Sequence, residues 1–201
     1  MPDMRAMAMP HDAASFLGMW TAMMAAMMLP SLVPTLWRLR RVAKERGSNY
    51  SEGLIALAGA GYFMVWTALG LIALLLMKLP AVEHAGPLAG GLVMLAAGAL
   101  QFTAWKTHHL ACCRRAACES SPGNAAGKVL RYGLQLGFHC SCCCAGSTAI
   151  LLVSGLMDLR AMTIATLAIT AERLAPSGKH AARLIGVLVV AAGLWMVARA
   201  A

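Results

Sequence analysis

Charged residues cut the chain into long apolar stretches. Uncharged runs cover Ala13–Trp37, Gly53–Met77, Ala85–Trp105, Tyr132–Met157, Ala161–Ala171 and Leu184–Ala198. A helix rises about 1.5 Å per residue, so roughly twenty apolar residues cross the ~30 Å hydrocarbon layer of a bilayer, and the first four runs reach that length. The last two are shorter, but Glu172, Arg173 and Arg183 can lie among headgroups and Arg199 can snorkel, which extends each to a full span. The pattern predicts an all-α fold: a polytopic transmembrane helix bundle of about six spans. Residues 13–201 form a single transmembrane helical domain, and residues 1–12 form an external tail without the apolar core of a signal peptide. Pro30 and Pro34 predict a kink late in the first helix. Gly59, Gly61, Gly90, Gly91 and Gly98 predict close helix contacts.

Composition agrees with that pattern. Of 201 residues, 60% are hydrophobic and only 12% are charged, against about a quarter charged in an ordinary globular domain, which excludes a soluble enzyme. The net charge of +9 would suggest nucleic acid in a soluble chain, but the basic residues alternate between loops. Arg38, Arg40, Arg41, Lys44 and Arg46 fall in the first loop; Lys106, Arg114, Arg115, Lys128 and Arg131 in the third; Arg173, Lys179 and Arg183 in the fifth. Lysine and arginine in short loops stay on the cytoplasmic side, so the N- and C-termini are expected outside, in a multi-pass protein of a bacterial inner (cytoplasmic) membrane. The expected partner surface is the lipid bilayer, with no nucleic acid.

Methionine occurs 15 times and cysteine seven. Four-residue steps return to nearly the same direction on a helix, so Trp20, Met23, Met24, Met27 and Met28 make one thioether stripe. Methionine also fills irregular gaps, and that packing reading stands beside the ligand reading. In the fourth span, His139, Cys140, Cys143 and Cys144 share a face with Cys142 at its edge, in an otherwise apolar run. A third group, His108, His109, Cys112 and Cys113, falls on one arc if the third helix continues past Trp105, with Cys118 following it. Met4, Met7, Met9 and His11 lie in the external tail.

An odd number of cysteines, placed within or inside the membrane, does not read as a disulfide framework. Thiolate, thioether and imidazole together favour Cu(I), while zinc or a mercuric ion would also suit them; Mg²⁺, Ca²⁺ and Mn²⁺ would not. No close carboxylate pair, phosphate loop or P-type ATPase motif is present, so the chain is not expected to be an enzyme. The stripe and the thiols lie at similar depth and can face each other, with the His108–Cys113 group at the inner surface. Together they mark a stepwise route across the bilayer.

At these residues the chain resembles an uncharacterised bacterial family of predicted metal-binding integral membrane proteins. The resemblance runs from about Trp20 to the C-terminus. It rests on Trp20-x-x-Met23-Met24-x-x-Met27-Met28-Leu29-Pro30, on Lys106 with Cys113-Arg114, on Arg131-x-Gly133-Leu134, on Gly137-x-x-Cys140-x-Cys142-Cys143, and on Glu172-Arg173-Leu174. The family pattern has a cysteine where this chain has His109, which exchanges one soft ligand for another. The resemblance implies metal binding in the membrane.

The expected function is therefore a soft-metal binding protein, Cu(I) foremost, acting in copper transport or in delivery to a copper enzyme or copper chaperone partner. Two other readings use the same residues. One is a membrane thiol–disulfide oxidoreductase working through Cys140-x-x-Cys143, and the other is a structural subunit of a larger membrane complex.

Overall fold

The computed structural model describes residues 13–45, 52–77, 87–119, 126–154, 158–175 and 177–200. Among them are seven helices and no strand: α1 (Ala13–Glu45), α2 (Glu52–Met77), α3 (Pro87–Leu100), α4 (Ala104–Glu119), α5 (Ala126–Ser154), α6 (Leu159–Leu174) and α7 (Gly178–Ala200). The Met4–His11 group lies outside the described residues.

α5 lies at the centre and packs against α2, α3, α4 and α6. α1 closes the same core from the other side through α2, α4 and α6, while α3 and α7 form a second pair joined to the rest by α5 and α6. The α2–α5 seam is tight. A Cβ on Gly61 would stand 2.8 Å from the Leu130 carbonyl oxygen, and one on Gly137 would stand 2.8 Å from that of Tyr62, so only glycine permits this backbone approach. Gly59, expected to act likewise, faces open space. Across the α1–α2 contact the Trp20 indole N–H donates to the Trp66 carbonyl oxygen at 2.9 Å, giving a buried polar atom the partner it needs.

α1, α2, α5 and α7 are each long and apolar enough to cross a membrane, and α3 with α4 adds a fifth if the bent pair counts as one span. Large apolar side chains point away from the core, among them Leu71 and Leu75 of α2, Ile164 and Leu167 of α6, and Leu184, Leu188 and Trp195 of α7. α6, the Ala161–Ala171 run, has 16 residues; at about 1.5 Å per residue it is roughly 24 Å long and falls outside the spanning set.

The third run requires a correction. Ala85–Trp105 reads as one spanning helix, with the His108–Cys113 group on one arc if it continues past Trp105, but α3 stops at Leu100 and α4 departs at 64°. The chain tightens there into three-residue turns, Gln101 N–H to Gly98 O and Phe102 N–H to Ala99 O, each 3.1 Å. Thr103 then restarts the helix. Its hydroxyl donates to Leu100 O at 2.7 Å and accepts from the Lys106 N–H at 3.3 Å, as an N-terminal capping residue does. The bend lays α4 across α5, α1 and α6.

Candidate metal centre

On α5 the side chains three and four residues apart stack on one face, and the face carrying Cys140, Cys143 and Cys144 turns into the core. The three thiols are buried, and their sulfur atoms lie within 4.8 Å of one another. Sulfurs of a trigonal site with metal–sulfur bonds of about 2.3 Å are about 4.0 Å apart, and those of a linear two-sulfur site about 4.6 Å. Small side-chain movements therefore suffice to close either geometry on one ion. Cys143 and Cys144 already stand 3.7 Å apart.

Each neighbouring helix adds one group. From α1, the Met28 Sδ lies 3.9 Å from the Cys140 thiol, and Met23, Met24 and Met27 are buried in the same core. From α2, the Tyr62 hydroxyl is 3.0 Å from the Cys140 Sγ. From α4, the buried Cys113 is within hydrogen-bonding reach of Cys143. From α6, Arg173 Nη1 donates to the Cys140 Sγ at 3.5 Å and to the Ser31 Oγ at 2.8 Å.

The charges around this cluster depart from the expected picture. Lys106 and Arg173 were assigned to cytoplasmic loops and Glu172 to the headgroup layer, yet all three are buried. Lys106 Nζ and Glu172 Oε2 form an ion pair of 2.8 Å that ties α4 to α6, and Gln101 also hydrogen-bonds to that carboxylate. Arg173 has no carboxylate partner among the described residues, and its Nη2 has no hydrogen-bond partner among them. A buried guanidinium needs a compensating negative charge. The anion-forming groups around it are Cys140, Cys113, Tyr62 and Cys143.

The remaining expected ligands are placed apart from the three thiols. His139 turns toward α4, where its Nδ1 is 2.9 Å from the Nδ1 of His109. One of these imidazoles donates and the other accepts, according to tautomer. Cys142 is half-buried and outside the three-thiol group. His108 is exposed, and its Nε2 lies 3.6 Å from the Cys112 Sγ one turn along α4. Sequence reasoning named Lys106, Glu172 and Arg173 only as loop charges and family motif residues, and passed over Tyr62 and Ser31. The one available signal was the pairing of a family motif with a charge of each sign in Glu172-Arg173.

A soft, buried sulfur cluster beside a fixed cation suits a thiophilic monovalent ion. A family model described as PpoB2, copper chaperone, matches residues 17–196 of the chain. The chain belongs to this copper chaperone family. The copper chaperone match covers every sulfur and imidazole group of the centre, from Met23 to Cys144, together with Lys106, Glu172 and Arg173. No curated protein and no solved structure matches the chain.

Proposed function

We propose that this copper chaperone is embedded in a bacterial inner membrane and holds Cu(I) on Cys140, Cys143 and Cys144, with Met28 as a neighbouring thioether. It then passes the ion across the bilayer or to a copper-enzyme partner. The observation that carries this reading is the three buried thiols within 4.8 Å of one another beside the Arg173 guanidinium, 3.5 Å from Cys140. With two of the three sulfurs as thiolates and the third as a neutral thiol, the Cu(I) site carries a charge of −1, which the guanidinium balances, so the loaded centre is neutral overall in a medium that penalises net charge. His109 with His139, and His108 with Cys112, are stations for exchange toward the cytoplasmic side, and the methionine stripe serves the path from outside.

The membrane setting is supported by the spanning lengths of four helices or more and by their outward apolar side chains, which water would not tolerate over so large an area. At the end of α7, Arg199 stacks over Trp195 at 4.5 Å, a pairing suited to an interface. The topology we propose has both ends outside and six spans: the four long helices, α3 with α4 as one bent span, and the 16-residue α6 as a short sixth whose ends are completed by flanking polar residues. A reporter fused at the C-terminus then reads external and one at Gly123 cytoplasmic; a cytoplasmic C-terminus would leave five spans.

The decisive test is metal content of the purified protein, with a free-thiol count beside it. Wild type is expected to bind Cu(I) in preference to Mn²⁺, C140S/C143S to bind none at the centre, and M28L to bind more weakly at unchanged stoichiometry. Thioether loss removes a neutral ligand in a nearly volume-conserving exchange, whereas loss of the cysteines removes the negative charge itself. Full copper occupancy in C140S/C143S would falsify the assignment.

A further inference from the structure

Where α1, α4 and α6 meet, a cavity of about 240 Å³ lies against the metal centre, lined by Pro34, Thr35, Arg38, Cys113, Arg114 and Arg173. Its lining includes an exposed side chain, Arg38, and two buried ones, Cys113 and Arg173, so it runs from the surface to two of the groups that border the sulfur cluster. Among the described residues, arginines line it and no carboxylate does. This is an unusual approach for a cation. A wall of guanidinium groups repels a bare metal ion and attracts an anion. The buried Arg173, with its Nη2 lacking a partner, adds to that preference at the inner end.

Copper(I) bound by two thiolates is such an anion, of charge −1. At about 30 Å³ per water the cavity holds roughly eight waters, which is room for a copper ion with the sulfur and methylene ends of two cysteinyl groups. A helix or a folded domain does not fit.

We propose that copper is exchanged through this cavity as an anionic Cu(I) bis-thiolate complex, with Arg38 drawing it in and Cys113 as the first sulfur of this chain to take the ion. The proposal rests on the copper-binding reading above and names the form of its cargo. In the step itself a bond forms between copper and the Cys113 sulfur. One copper–sulfur bond to the donor breaks, and the Cys113 proton goes to the departing thiolate. Copper remains Cu(I) throughout and no electron is transferred. A second exchange moves the ion to Cys143, the hydrogen-bonding neighbour of Cys113, as the Cys143 proton passes to the Cys113 sulfur. In a third, copper bonds to the Cys140 sulfur, its remaining bond to the donor breaks, and the second donor thiolate leaves with the Cys140 proton.

The test compares rates of copper uptake by the full-length protein in detergent from three donors: Cu(I) bis-glutathione, Cu(I) on a two-cysteine peptide, and the cationic Cu(I)–acetonitrile complex. Arg38→Glu is expected to slow uptake from both thiolate donors by about tenfold or more, and to leave the acetonitrile rate unchanged or raised. The faster of the two thiolate donors identifies the source as a small thiol or a protein loop. Cys113→Ser is expected to slow loading from every donor while the final copper content stays that of wild type. Unchanged thiolate-donor rates in Arg38→Glu overturn the proposal, as does a Cys113→Ser protein that loads at the wild-type rate or holds less copper at equilibrium. A wild type that takes up no copper from any donor defeats the copper-binding reading instead.

Discussion

On α5, Cys140, Cys143 and Cys144 are buried and met by Met28, Tyr62, Cys113 and Arg173 from four other helices. On α4, which packs against α5, His108 is exposed and its neighbour Cys112 only half-buried. A four-residue step joins the soft side chains in both places, Cys140 with Cys144 on α5 and His108 with Cys112 on α4. What separates them is what stands opposite. A buried sulfur cluster holds an ion out of reach of water and needs a fixed countercharge, whereas an exposed thiol–imidazole pair loses and regains an ion readily. On the proposed function, storage falls to the buried group and exchange to the exposed one, and burial is what separates them.

The strongest way to break that contrast is to remove the charge that orders the buried side. Lys106→Met leaves Glu172 buried without its partner, and stranding one member of a buried pair costs about 3–5 kcal/mol. Thermal unfolding in detergent should show a large fall in stability, most of it recovered in the Lys106→Met/Glu172→Met double variant. An unchanged melting temperature in the single variant would mean that the pair does not order the centre. The smallest effect is expected on the exposed side. His108→Ala/Cys112→Ala should change stability by no more than about 0.5 kcal/mol and leave the copper stoichiometry whole. A copper ion lost from that variant would show that the exposed pair holds metal as the thiols do, and the contrast would collapse.

The helical content, the apolar faces and the clustering of soft ligands were legible from periodicity, because each depends on neighbours along one helix. Cys140, Cys143 and Cys144 needed only a 3.6-residue repeat to be placed together. The Lys106–Glu172 pair and the position of Arg173 depend on how α4 and α6 meet, which no local pattern encodes, so those charges read as loop residues. The break at Gln101–Thr103 was missed for a different reason. The proline and the glycine pair of that run, Pro87 and Gly90-Gly91, lie ten residues or more before the break, and the signal at the break was the single capping threonine at position 103. Likewise His139 shares the cysteine face by spacing, yet the lateral pull of His109 across the α4–α5 contact takes its ring away from the sulfurs.

The glycine seam between α2 and α5 also acts as an index mark. Gly137 sits one turn before Cys140, and a methyl group there would collide with the Tyr62 carbonyl oxygen, 2.8 Å away. The absence of that methyl fixes where α5 stops as it slides along α2, and the Tyr62 hydroxyl meets the Cys140 sulfur at the same level. One residue inserted between Gly137 and Cys140 would turn the sulfurs by about 100° relative to the seam and carry them off the guanidinium and the thioether together. The alignment of ligands from five helices is therefore held by a hydrogen atom where any other residue would place carbon.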